Sequence, residues 1–65
     1  MKKIKCMKGW AICQLNAKEV KEYRFSYAVI HPENREYLSM GMCTPSDTDI
    51  ECETLDEAIN WIKNY

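Results

Sequence analysis

The chain has 65 residues, 46% of them hydrophobic and 29% charged, with two Gly, two Pro and a formal net charge of −1. That leaves room for a single domain over residues 1–65 and excludes a disordered or low-complexity chain. No apolar run approaches the roughly 20 residues of a membrane span, and Met1-Lys2-Lys3-Ile4-Lys5-Cys6-Met7-Lys8 lacks the apolar block of a secretory signal, so a cytoplasmic protein without a membrane partner is expected.

In chain order, Gly9 through Leu15 reads as a short β-prone run with Trp10, Ile12 and Gln14 on one face and Ala11, Cys13 and Leu15 on the other. Asn16-Ala17-Lys18-Glu19 follows with a turn-favouring Asn. A hairpin loop is preferred there, with one helical turn over 16–22 as the alternative. Tyr23 through Ile30 alternates strictly, placing Tyr23, Phe25, Tyr27 and Val29 opposite Arg24, Ser26, Ala28 and Ile30, and predicts a strand. His31-Pro32-Glu33-Asn34-Arg35 reads as the turn of a second hairpin, because Pro32 fixes its own φ and Asn34 tolerates a left-handed backbone. Glu36 through Cys43 then predicts another strand, with Leu38, Met40 and Met42 on its core face. After the break at Thr44-Pro45-Ser46, residues 47–53 alternate acids with less polar residues and, if extended, direct Asp47, Asp49, Glu51 and Glu53 to one side.

Thr54 and Glu57 stand in the spacing of a capping box, and Leu55, Ala58, Ile59, Trp61, Ile62 and Tyr65 form one apolar stripe at helical period. Acids at the start and Lys63 near the end suit the helix dipole. A helix this short must lie across a sheet to bury its stripe. The expected fold is therefore α+β, an antiparallel sheet of three to four strands with one C-terminal helix packed on one face.

Strands followed by Thr54-Leu55-Asp56-Glu57-Ala58-Ile59-Asn60-Trp61-Ile62 resemble the closing portion of short bacteriophage accessory proteins, and the helix is similar to the corresponding helix of HicB-type antitoxin half-domains. The resemblance covers about nine residues closely. It implies a counter-defence or host-takeover role carried out by binding rather than by chemistry.

The net charge conceals a division: residues 1–24 carry a balance of +5 and residues 25–65 a balance of −6. The near-zero total argues against indiscriminate DNA binding, while the acidic half suits a basic patch on a host protein and the basic half a small anionic ligand. Cys6, Cys13, Cys43 and Cys52 miss the short gaps with which paired thiolates hold zinc, and without an export signal they are expected as free thiols. Asp47, Asp49, Glu51 and Glu53 lack the turn Gly and spacing of a calcium loop. No metal or cofactor is expected.

His31 is the only imidazole, and Cys13, Cys43 or Cys52 would have to serve as its nucleophile partner in a small hydrolase, the least favoured reading. The favoured one is a non-enzymatic binding module that occludes or sequesters a partner, with capture of a nucleotide-like anion as the alternative. Candidate binding residues are the aromatics Trp10, Tyr23 and Tyr37, the bases Arg24 and Arg35, and the acidic row Asp47, Asp49, Glu51 and Glu53. If Ile12, Phe25, Tyr27, Val29, Leu38, Met40 and Met42 lie under the helix, the other face presents Ala11, Cys13, Leu15, Ser26, Ala28 and Ile30. That small, apolar set predicts a homodimer formed face to face.

Overall fold

A computed structural model describes all of Met1–Tyr65. Strands β1 (Lys2–Met7), β2 (Trp10–Gln14), β3 (Tyr27–Ile30) and β4 (Ile50–Cys52) form one antiparallel sheet in the order β1-β2-β3-β4. Helix α1 (Ala17–Tyr23) lies between β2 and β3, helix α2 (Arg35–Ser39) follows a 3₁₀ turn over Pro32–Asn34, and helix α3 (Leu55–Lys63) closes the chain. The expected α+β fold, four antiparallel strands with a C-terminal helix, is what the chain adopts.

The β1–β2 hairpin turns through Lys8 (φ 51°) and Gly9 (φ 85°), so both central residues are left-handed, as a two-residue turn matched to strand twist requires. A Cβ on Gly9 would also stand 3.3 Å from the Pro32 side chain. The edge strand β1 exposes Lys2, Lys3 and Lys5 and carries a register irregularity between Lys3 and Lys5. Charged side chains and a bulge both discourage further strand pairing.

Strand alternation gives the sheet two apolar faces, and the chain covers both. On one, Trp10, Ile12, Val29 and Cys52 pack with Ala58 and Ile62 of α3, joined by the partly buried Tyr27, Leu55 and Trp61. On the other, Ala11, Cys13, Leu15, Phe25, Ala28 and Ile30 form a second core, against which Val20 and Tyr23 of α1 and Leu38 of α2 pack. This overturns the expected self-association face. Ala11, Cys13, Ala28 and Ile30 are 0% exposed and Leu15 is 5% exposed within one chain, while Ser26 is half-buried.

Four local expectations also change. Residues 16–23 make a helix because Asn16 and Glu19 form a reciprocal cap. Glu19 N–H donates to Asn16 Oδ1 at 2.8 Å, and Asn16 N–H donates to Glu19 Oε1 at 3.0 Å. The expected strand from Tyr23 starts only at Tyr27, since Tyr23 ends α1 and Arg24 follows it in a left-handed cap (φ 68°). Its period-2 faces fail accordingly: Phe25 lies in the α1–α2 core, away from α3.

The expected strand over 36–43 is instead the end of α2 and a loop. Gly41 (φ 72°) donates its N–H to Leu38 O at 3.0 Å, and Met42 N–H donates to Tyr37 O at 2.9 Å. These are the two bonds of a Schellman helix stop. Leu38 faces the second core, whereas Met40 and Met42, expected under α3, are 63% and 60% exposed. The 47–53 strand shortens to Ile50–Cys52, because Pro45–Asp47 forms a 3₁₀ turn anchored by the buried Pro45. Helix α3 begins at the expected cap, with Glu57 N–H donating to Thr54 Oγ1 at 3.1 Å, but the capping box is not reciprocal, because the Glu57 carboxylate accepts the Glu53 N–H at 3.2 Å in place of the Thr54 N–H.

Candidate functional site

The candidate residues divide among four places. Trp10 is 6% exposed at the centre of an aromatic group, with ring centroids 4.8 Å from His31 and 5.0 Å from both Trp61 and Tyr65. These edge-on rings pack on one another, so Trp10 is structural and offers no face to a base. Tyr23 packs edge-on against Phe25 at 6.5 Å, while Arg24 beside it is exposed in its left-handed cap. No base-stacking clamp with Arg35 or Tyr37 is assembled from them.

The acidic row is also divided. The Asp47 carboxylate accepts the Thr44 N–H at 2.8 Å and bonds its hydroxyl at 3.1 Å, closing the 3₁₀ turn. Asp49 Oδ2 accepts the His31 N–H at 2.8 Å and ties the loop before β4 to the end of β3. Glu51, within β4, and Glu53, just after it, are exposed. Asp47 thus leaves the strand alternation, and the four carboxylates do not share one side.

Tyr37 and Asp47 do meet. With Asn34, Met42 and Cys43 they line an open depression of about 270 Å³. The helix stop returns Met42, the residue after the left-handed Gly41, to Tyr37 five positions earlier, through the Met42 N–H to Tyr37 O bond. Met40 stands three residues after Tyr37, so helical spacing sets the two on neighbouring positions. Tyr37, Met40 and Met42, on α2 and the turn that ends it, are respectively 52%, 63% and 60% exposed, and Tyr37 and Met42 line the same depression. Asp47 lines the depression, and Glu33, Glu36 and Asp49 are exposed on the chain segments next to its lining residues. Arg35, two residues from Tyr37, projects from a different side of α2. A second, larger depression of about 480 Å³ lies along Met1, Lys2 and Gln14–Ala17, but none of the chain's large exposed apolar side chains lines it. Sequence reading missed the methionines as surface residues because positions 38, 40 and 42 mimic strand alternation. The signal that identifies them is Pro32 and Gly41 bracketing a helix.

All four cysteines are free. Burial pushes the Cys13 thiol up to about 11. Burial also raises those of Cys52 and Cys43, reinforced by Glu57 for the first and by Asp47 and Asp49 for the second. None of the three is poised as a thiolate. His31 Nδ1 accepts the Glu33 N–H at 3.0 Å while its ring rests on Trp10, so the imidazole is engaged in capping and packing. No group of His, Cys, Asp and Glu side chains is arranged to hold a metal ion, and no helix is long and apolar enough to cross a membrane. No family model, curated protein or solved structure matches the chain.

Proposed function

We propose that the chain is a non-enzymatic binding module that occludes a partner protein, docking through the patch formed by Tyr37, Met40 and Met42. The observation that supports this reading is the exposure of those three large side chains on one lobe, in a chain whose two sheet faces are both covered from within. Unbranched methionines adapt to irregular partner surfaces, and a tyrosine supplies contact area at small cost in side-chain entropy. The carboxylates around the patch favour a partner site with basic side chains at its rim, such as a nucleic-acid-binding surface on a host protein. A counter-defence role of the phage accessory kind is consistent with occlusion by a small acidic lobe.

The test is capture from a bacterial lysate by the immobilised chain, compared with the Met40→Ser/Met42→Ser variant. A defined protein band retained by the wild type and lost from the variant, at unchanged melting temperature, is the expected result. A band retained equally by both, or a nucleotide released on heating in place of a protein, removes the proposal.

A further inference from the structure

We propose that Met40, Met42 and Cys43 form a binding site for a soft monovalent metal ion, Cu(I), held by two thioethers and one thiolate. The run Met40-Gly41-Met42-Cys43 places three sulfur donors within four residues, and thioether and thiolate ligands select Cu(I) over harder divalent ions. The cysteine spacing that argues against zinc leaves this set untouched, because two of its donors are methionines.

The helix stop places two of the donors together, with Met40 at the end of the helix just before the turn. Gly41 turns the chain through a left-handed residue, held by the bonds Gly41 N–H to Leu38 O and Met42 N–H to Tyr37 O, and Met42 and Cys43 then line the same depression. Cys43 Sγ donates to the Asn34 carbonyl at 3.7 Å, so the thiol is directed toward a residue lining that depression. Met40 is 63% exposed, and no large burial holds its thioether elsewhere. Its three rotatable side-chain bonds let the sulfur swing across the turn. Asp47, which lines the same depression, is bonded through Oδ2 to the Thr44 N–H and hydroxyl.

Loading is a ligand exchange without electron transfer. The Cys43 S–H bond breaks, its proton passes to the buffer, and the sulfur lone pair forms the Cu–S bond while the metal remains Cu(I). The assignment is independent of the docking reading, since metal uptake is measured on the isolated chain.

The experiment titrates the intact chain anaerobically with Cu(I) against a colorimetric Cu(I) chelator. One metal ion bound per chain, with one proton released, is expected. Cys43→Ser abolishes retention, and Met40→Leu/Met42→Leu weakens it by about tenfold or more, by analogy with the 10–100-fold cost of losing even an outer-shell partner. The leucines are apolar and similar in volume at exposed positions, so that variant keeps its fold. Cys6→Ser, which removes the exposed thiol of β1, leaves uptake unchanged. Uptake that follows Cys6, wild-type affinity in the double-leucine variant, or displacement of Cu(I) by an equal concentration of Zn(II) would each overturn the site.

Discussion

Gly41 and Arg24 occupy the same left-handed region, at φ 72° and 68°, and each ends a helix. A side chain in that conformation costs roughly 1–2 kcal/mol, and nothing lies within 4 Å of a Cβ built on Gly41. Gly41→Ala therefore tests the backbone alone. It is expected to destabilise the fold by about 1 kcal/mol, read as a lower denaturation midpoint at unchanged slope.

Glu19 supplies a second test at this scale. Its carboxylate accepts the Met1 ammonium at 2.7 Å and the Asn16 N–H at 3.0 Å, and these partners, the ammonium first, hold it below the ordinary carboxylate range. A group depressed in the folded state stabilises above its unfolded value, and that contribution is lost as pH falls through the folded value. Melting temperatures measured down an acid series should converge for wild type and Glu19→Gln, with the wild type more stable near neutrality. Parallel curves would contradict the pairing.

Among the elements, α3 was legible because its cap and its stripe agree: Thr54 receives the Glu57 N–H, and Ala58 and Ile62 are buried. Thr54→Ala is expected to cost about 1 kcal/mol without changing partner capture, since the cap lies apart from Tyr37, Met40 and Met42. An affinity loss at unchanged melting temperature would place the helix start within the docking site.

Helix α1 carries the same signal in Asn16 and Glu19, but its short polar sequence also fits a loop. Only the packing of Val20 and Tyr23 on the second core decides between them. Helix α2 was obscured by Leu38, Met40 and Met42, whose period-2 spacing imitates a strand although Leu38 alone turns inward. Strand β1 was illegible for another reason, in that its pairing with β2 is set by the Lys8-Gly9 turn and not by an apolar pattern of its own. The proposed docking surface is half legible in the sequence. Tyr37 and Asp47 stand out in the sequence as an aromatic and an acid outside the expected core, but the period-2 spacing of Met40 and Met42 points them inward.

For the whole molecule, the decisive feature is that both sheet faces are closed by the chain's own helices. Ala28, 0% exposed between Cys13 and Glu51 on the neighbouring strands, belongs to the second core. Ala28→Glu would bury an unpaired carboxylate at a cost of several kcal/mol, against the roughly 3–5 kcal/mol that one core of so small a chain supplies. The expected outcome is an unfolded chain by circular dichroism at every protein concentration, whereas a folded monomer produced from a wild-type dimer would restore the face-to-face association.

Alkylation of the four thiols in the native chain, resolved by residue, measures this closure most directly. The two covered faces leave Cys6 exposed and Cys43 half-buried while enclosing Cys13 under α1 and α2 and Cys52 under α3. Rapid labelling of Cys6, slower labelling of Cys43, and protection of Cys13 and Cys52 until unfolding is the predicted result. Labelling of Cys13 as fast as Cys6 would contradict it, opening the second face of the sheet and removing the reason for assigning partner docking to the α2 lobe.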